Sequence, residues 1–178
     1  MIFKNISSSD VFFLNICKLY EDAFPEDERR SIAQVRHILD ENGKFHIVSA
    51  STDGIFNGFI SYWTFSNFIY FEHLAINVEM RNHGIGKKLI EHILGQYSDC
   101  VAILEVEPEV GDLTRRRINF YKRLGFVLRN DKVHYMQPPY SSDKSSIELW
   151  LMSHGECSDS FVSECAETIK ANVYFAYQ

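Results

Sequence analysis

Between Phe45 and Phe65 the sequence reads FHIVSAS, then TDG, then IFNGFISYWTF. Two runs rich in β-branched and aromatic residues flank an Asp-Gly pair. That pattern predicts two antiparallel strands joined by a tight hairpin. FIYFEHLAINV, residues 68–78, continues as a third and rather long strand. A meander of this kind needs other elements to cover its apolar face.

The flanking sequence supplies them. MIFKNI reads as a short opening strand, and SSSD is a cluster of helix N-cap residues. VFFLNICKLYEDAF then predicts a helix with Phe12, Ile16, Leu19 and Ala23 on one stripe, stopped by Pro25. Ser31 with Gln34 resembles a capping box for a second helix, IAQVRHILDEN, with Gly43 as its stop. After the meander come the segment RNHGIG and a helix to about Gln96, then VAILEVE, an apolar strand of the buried type. TRRRINFYKRLGF predicts a helix with Leu113, Phe120, Tyr121 and Leu124 on one side and Gly125 at its end. Later strands are expected at VLRND, VHYMQ and IELWLMS, and a last helix around Phe161 to Ala171, docked through Phe161, Cys165 and Ile169. Two helices, an antiparallel meander and alternating strands and helices imply an α+β fold on a mixed, mostly antiparallel sheet. At 178 residues the whole chain, 1–178, is expected to form a single domain.

Composition narrows the class of partner. Apolar content of 46% and charged content of 24% are those of an ordinary globular protein. A net charge of −6 argues against nucleic acid or an acidic membrane as partner. No apolar run approaches the roughly 18 residues of a membrane helix. The N-terminus lacks the apolar core and cleavage site of a signal peptide. Cys17, Cys100, Cys157 and Cys165 are scattered, without zinc-type spacing, so free thiols in a reducing cytoplasm and no metal are expected.

The glycines of RNHGIGKKL raise the chemical question. A dinucleotide fingerprint would need a glycine three positions after Gly86, where Leu89 stands. A P-loop would need a hydroxyl where Lys88 stands. What remains is a strand ending near Val78, a turn, and a helix that starts near Ile85 and buries Ile85, Leu89, Ile90 and Ile93. The first amides of such a helix have no intrahelical acceptor, and a diphosphate can satisfy several at once. The dipole contributes only about 0.3–1 kcal/mol, up to ~2. Hydrogen bonds to a charged group add roughly 1.5–3 kcal/mol each, so the amides dominate. Glycine at 84 and 86 removes Cβ atoms that would hold phosphate oxygens away. Arg81, His83, Lys87 and Lys88 gather positive charge at a helix end that disfavours cations, a conflict that a bound anion resolves. The rival reading is that the pair only shapes a tight turn.

LAINVEMRNHGIGKKL resembles the acyl-coenzyme A signature of the GCN5-related N-acetyltransferase (GNAT) superfamily, whose loop reads [RQ]-x-x-G-x-[GA]. Arg81, Gly84 and Gly86 fill every fixed position, and Asn82 replaces the glycine that commonly follows the arginine. FYKRLGF, 120–126, resembles the family's FYxxxGF segment. The matches span residues 69–126. The resemblance implies that acetyl-CoA is the cosubstrate and lies in an opening between the strands HLAINV and VAILEVE. It implies pantetheine contacts from the backbone of Leu74, Ala75 and Ile76. It also implies diphosphate contacts from Arg81, Asn82, His83, Gly84, Ile85, Gly86 and Lys87. An asparagine usual seven residues before the tyrosine is Thr114 here, which leaves a hydroxyl for that contact.

The implied reaction moves acetyl to a primary amine of a small molecule or peptide by direct attack. An alkylammonium of pKa near ~10.4 must first lose a proton. Glu72 is the first candidate base, because strand alternation puts it on the face of Leu74 and Ile76. Glu105 and Glu107 on the next strand are rivals. By the resemblance Tyr121 protonates the departing thiolate, against a reading of Tyr121 as core. His73 reads as a packed strand residue, the RRR run at 115–117 as a solvated helix face, and FPEDERR as an exposed loop. The alternative class is a module that holds acyl-CoA and catalyses nothing. Acyl length and acceptor stay open, and a homodimer through IELWLMS as an exposed strand is a further expectation.

Overall fold

A computed structural model of the chain describes residues 1–141 and 144–177. Among these described residues are eight strands, five α-helices and predominantly antiparallel pairing, the α+β class that the order of elements predicts. The chain divides into two compact units, Met1–Phe65 with Phe71–Ser98, and Ser66–Tyr70 with Asp99–Gln178.

In the first unit, strands β1 (Ile2–Asn5), β2 (Phe45–Thr52), β3 (Ile55–Thr64) and β4 (Phe68–Ile76, from Phe71 on) lie side by side in that order. The β2–β3 turn is the expected two-residue hairpin: Asp53 and Gly54 have φ of 52° and 77°, which matches the right-handed strand twist. A bulge at Ala50/Ser51 shifts its register. Helix α1 (Phe13–Ala23) buries Phe13, Ile16, Cys17, Leu19 and Tyr20. The stripe is rotated from the expected one, and Phe12 precedes the helix instead of opening its buried face. Pro25 follows the end of α1, because it has no N–H to continue the helix. Helix α2 (Ile32–Glu41) starts on a complete capping box, with Ser31 Oγ accepting from the Gln34 amide and Gln34 accepting from the Ser31 amide. Gly43 is not left-handed here. Asn42 ends the helix in extended geometry, so that part of the expectation fails.

At Gly58 the backbone of β3 lies close against β4. A Cβ there would stand 2.5 Å from the Ala75 carbonyl oxygen and 2.9 Å from the Ile76 Cα. Only glycine lets the backbone of β3 approach the strand that carries Leu74, Ala75 and Ile76. Helix α3 (Ile85–Gln96) closes the unit and buries Ile85, Leu89, Ile90 and Ile93, the four residues its period predicts.

In the second unit, the first residues of β4 are followed across the sheet by β5 (Val101–Val106), β8 (Ile147–His154) and β6 (Val127–Leu128), with β7 (Tyr135–Gln137) on β8. IELWLMS therefore has neighbours on both sides, pairing with β5 and with β6 and β7. It is not the exposed edge on which a homodimer was expected to form. Helix α4 (Asp112–Lys122) buries Ile118, whereas Leu113 is 77% exposed, so its inward face differs from the expected one. Gly125, at φ 87°, ends the segment as expected. Helix α5 (Asp159–Ile169) docks through Val162, Cys165, Ala166 and Ile169 and runs into a π-helical turn, Lys170–Tyr174. No helix among the described residues is long and apolar enough to cross a membrane.

Candidate functional site

The loop between β4 and α3 is built by short-range bonds. The Asn77 side chain donates to the Phe56 carbonyl at 2.7 Å, and Arg81 Nε donates back to the Ile76 carbonyl at 3.2 Å, so the loop is anchored to the end of β4. His83 Nδ1 lies 2.8 Å from the Arg81 carbonyl oxygen. Asn82 and Gly84 have φ of 65° and 75°, and Gly84 is the N-cap of α3. The first bond of the helix runs from the Lys88 amide to the Gly84 carbonyl. The amides of Ile85, Gly86 and Lys87 therefore precede the helical ladder and point along its N-terminal axis. Arg81, Asn82, His83, Gly84, Lys87 and Lys88 are all exposed around them. This set of amides and cations suits a diphosphate.

The structure also refines the reason for one glycine. A Cβ on Gly84 would meet no other atom of the chain, so conformation, not crowding by protein, fixes the residue. An L-residue in the left-handed region costs about 1–2 kcal/mol. Gly84→Ala is expected to lower unfolding free energy by about 1 kcal/mol, and Gly84→Asn by less, because asparagine tolerates that region. Urea denaturation of the three proteins measures the order.

Glu72 stands on the face of β4 that strand alternation predicts, but it is not alone there. Its carboxylate is ion-paired with Arg30 and accepts a hydrogen bond from Trp63 Nε1 at 2.9 Å. The two charged side chains are 3% and 1% exposed. Ile16, Cys17, Val35, Phe45 and Phe59 line the space around them. Burial alone would raise the Glu72 carboxyl. The Arg30 guanidinium, His73 and the Trp63 indole outweigh it and hold the carboxyl below its ordinary value. His73 Nδ1 is 3.9 Å from the same carboxylate, while its Nε2 lies 3.2 Å from the Glu28 carbonyl oxygen. Edge contacts with Tyr20 and Phe24 complete its packing, and burial holds the imidazole below its ordinary value. The Arg30 amide donates to Tyr20 Oη at 2.9 Å. FPEDERR is thus only partly an exposed loop: Glu26–Glu28 make one 3₁₀ turn, and Arg30 turns inward. A structural ion pair is one of the competing readings of Glu72 from the sequence, but Arg30 as its partner is not. A cation at the end of a charged run carries no local sign that it will be buried.

In the second unit Tyr121 is half-buried on α4, edge-on to Phe120 at 5.1 Å and to Phe126 at 5.8 Å between ring centroids. Burial pushes its phenol up to about 12, with Arg117 opposing. The Thr114 hydroxyl accepts from the amides of Val110 and Gly111 and donates to the Gly111 carbonyl. It caps its own helix, which occupies the group expected to reach the cofactor. Glu105 accepts hydrogen bonds from Tyr135 Oη and, at 2.9 Å, from Tyr174 Oη, which is in turn 2.9 Å from Tyr70 Oη. Glu107 is paired with Arg117 near the surface, and Arg115 with Asp112. The RRR run is largely the solvated face expected of it.

Residues 13–126 match the model of the acetyltransferase (GNAT) family. The chain belongs to the GNAT family. A solved structure from Bacteroides thetaiotaomicron, described as an acetyltransferase of the GNAT family, shares 35% identity over 98% of each chain, with a TM-score of 0.89. An aminoglycoside 6'-N-acetyltransferase complexed with coenzyme A superposes at a TM-score of 0.66 with 14% identity, over 89% of this chain and 100% of that one. The ribosomal-protein-S18-alanine N-acetyltransferase of Escherichia coli does so at 0.61 with 15% identity, over 88% and 97%. The last two show likeness of fold alone. No curated protein matches the sequence. Membership in the GNAT family makes the chain an acetyl-CoA-dependent acyltransferase and sets aside the non-catalytic reading.

Proposed function

We propose that the chain transfers acetyl from acetyl-CoA to a primary amine of a small molecule or peptide by direct attack. The observation that carries this reading is the loop Arg81–Lys87. Its left-handed Gly84 and its anchor from Arg81 to Ile76 present three helix-end amides beside the end of β4. In this reading Arg81, Asn82, His83, Gly84, Ile85, Gly86 and Lys87 hold the diphosphate. The backbone of Leu74, Ala75 and Ile76 holds the pantetheine arm, and a preorganised amide there is worth about 3–4 kcal/mol to developing negative charge. Thr114 contributes through backbone position rather than its hydroxyl. Acetyl-CoA supplies an acyl group already activated as a thioester.

Tyr121 delivers a proton to the leaving sulfur. From a phenol near 12 to a thiolate whose thiol titrates near ~8.5, that transfer is uphill by about 5 kcal/mol, so it occurs together with sulfur departure. Tyr121→Phe is expected to lower kcat at least tenfold and leave the affinity for CoA within twofold. Steady-state kinetics and calorimetry measure the two, and unchanged turnover removes Tyr121 from the mechanism. Cys17, Cys100, Cys157 and Cys165 are free thiols, which fits a reducing cytoplasm as the place of work.

The direct test follows free thiol release from acetyl-CoA across a panel of amines, with mass detection of the product. One acetylated amine establishes the reaction. CoA binding without release across the panel refutes it.

A further inference from the structure

A cleft in the first unit lies at the end of β3 away from the loop Arg81–Lys87. The backbone amide of Asn77, where that loop begins, donates to the Asn57 carbonyl near the start of β3, whereas Phe45 pairs with Trp63 near its end. The strand between Asn57 and Trp63 spans about 20 Å. At the Phe45 end, the last turn of α2, the chain around the end of β1 and the first residues of β2 enclose about 220 Å³. A water takes roughly 30 Å³ in the liquid, so a small organic molecule fits.

The lining has two chemical parts. Ile6, Phe45 and Ile47, each buried, supply apolar surface. The polar part is electronegative. Among the described residues of the lining, Asp40 alone is charged at pH 7. Its carboxylate accepts from Ser8 Oγ at 2.8 Å, which leaves lone pairs for a further donor. Leu39 and Asp40 belong to the last turn of α2, whose final carbonyls have no donor within the helix and which carries about half a negative charge. The Asn42 amide donates to the Ile38 carbonyl and the Phe45 amide to the Asn42 carbonyl, so the turn from α2 into β2 is fixed. His46 is half-buried, with Nε2 3.3 Å from Thr64 Oγ1, and burial holds its imidazole below its ordinary value, so it is neutral at pH 7. Lys44 is not part of the lining, and its Nζ stands over the Phe65 ring at 5.8 Å.

We propose that this cleft binds a small organic cation, an alkylammonium whose charged head meets Asp40 and the C-terminal end of α2 while its carbon chain covers Ile6, Phe45 and Ile47. An anion is repelled by both the carboxylate and the helix end. A neutral apolar molecule fills the same space and leaves the electronegative part unused. The site stands apart from the acetyl-transfer reading and does not depend on it.

The test uses three probes of one chain length, pentylamine, pentanol and pentanoate, added at pH 7 to the full nitrogen-15-labelled chain with and without CoA. At that pH an amine of pKa near ~10.4 is a cation and a carboxyl of pKa near ~4.3 an anion. Amide chemical shifts report place and affinity together. Pentylamine is expected to shift the amides of residues 5–7 and 39–47, with or without CoA. It should bind at least fivefold more tightly than pentanol, with pentanoate weakest. Asp40→Asn should weaken pentylamine at least threefold, and Asp40→Lys should reverse the order of amine and carboxylate. Asp40 is exposed, so both variants are expected to keep the urea midpoint of the parent. Equal affinity for pentylamine and pentanol, or an amine affinity unmoved by Asp40→Lys, overturns the proposal. Shifts confined to Leu74–Ile76 and the loop Arg81–Lys87 also overturn it, because the amine then occupies the acetyl-transfer site. None of these outcomes bears on acetyl transfer itself, which thiol release measures.

Discussion

Arg30→Met should destabilise the protein by about 3–5 kcal/mol at pH 7. The substitution keeps side-chain volume but removes the cation from Glu72, whose side chain is 1% exposed and also accepts a hydrogen bond from the Trp63 indole. The loss comes from an uncompensated buried charge, not from the intrinsic worth of the pair. A buried ion pair of this kind gains little over apolar residues of the same shape. Arg30→Met combined with Glu72→Gln should therefore recover most of the loss, and equal damage in single and double variants would show that the pair is not the cause.

The pH dependence follows with a definite sign. In the native protein the Glu72 carboxyl is held below its unfolded value, so its contribution is present above the unfolded pKa near ~4.3 and is lost as pH falls through the lower folded value. In Arg30→Met burial becomes the dominant influence, and the folded pKa moves above the unfolded one. The variant then regains stability as pH falls and Glu72 takes up a proton. Urea midpoints of the two proteins should converge between pH 7 and pH 4.

Gly58→Ala is expected to cost about 3 kcal/mol, or a fall in Tm of about 6–12 °C for a chain of this length. The new methyl would meet the Ala75 carbonyl oxygen at 2.5 Å and the Ile76 Cα at 2.9 Å, and both are backbone atoms that cannot rotate away. Either β3 and β4 separate or the segment Leu74–Ile76 shifts along its own axis. In both cases the amides proposed to hold pantetheine move, so CoA affinity should fall at least tenfold together with Tm. Calorimetric titration of CoA on the folded variant, at a temperature well below its transition, separates the two losses. An unchanged Tm would mean that the strands do not come as close as described.

How much of this was legible depends on the distance over which each feature is encoded. The hairpin at Asp53–Gly54 and the capping box at Ser31–Gln34 each follow from a handful of adjacent residues, and the structure places them where the sequence predicts. The buried face of α3 follows from its period for the same reason. The faces of α1 and α4 are less determined by period alone. Phe12 stands outside α1 and Leu113 lies in solvent, because apolar residues near a helix start are not constrained to its buried stripe. IELWLMS looked like an edge for lack of any local mark of the strands that flank it.

By itself the sequence determined the class of fold and the loop-to-helix start at Arg81–Gly86, since strand, turn and cap chemistry is local and the R-x-x-G-x-G spacing needs no tertiary context. Only the folded chain decided which charges are spent on one another. Arg30 and Glu72 are 42 residues apart, and their burial together follows from how α1 and α2 pack on the sheet. A carboxylate's basicity is a property of its surroundings, and those surroundings exist only after the chain has folded.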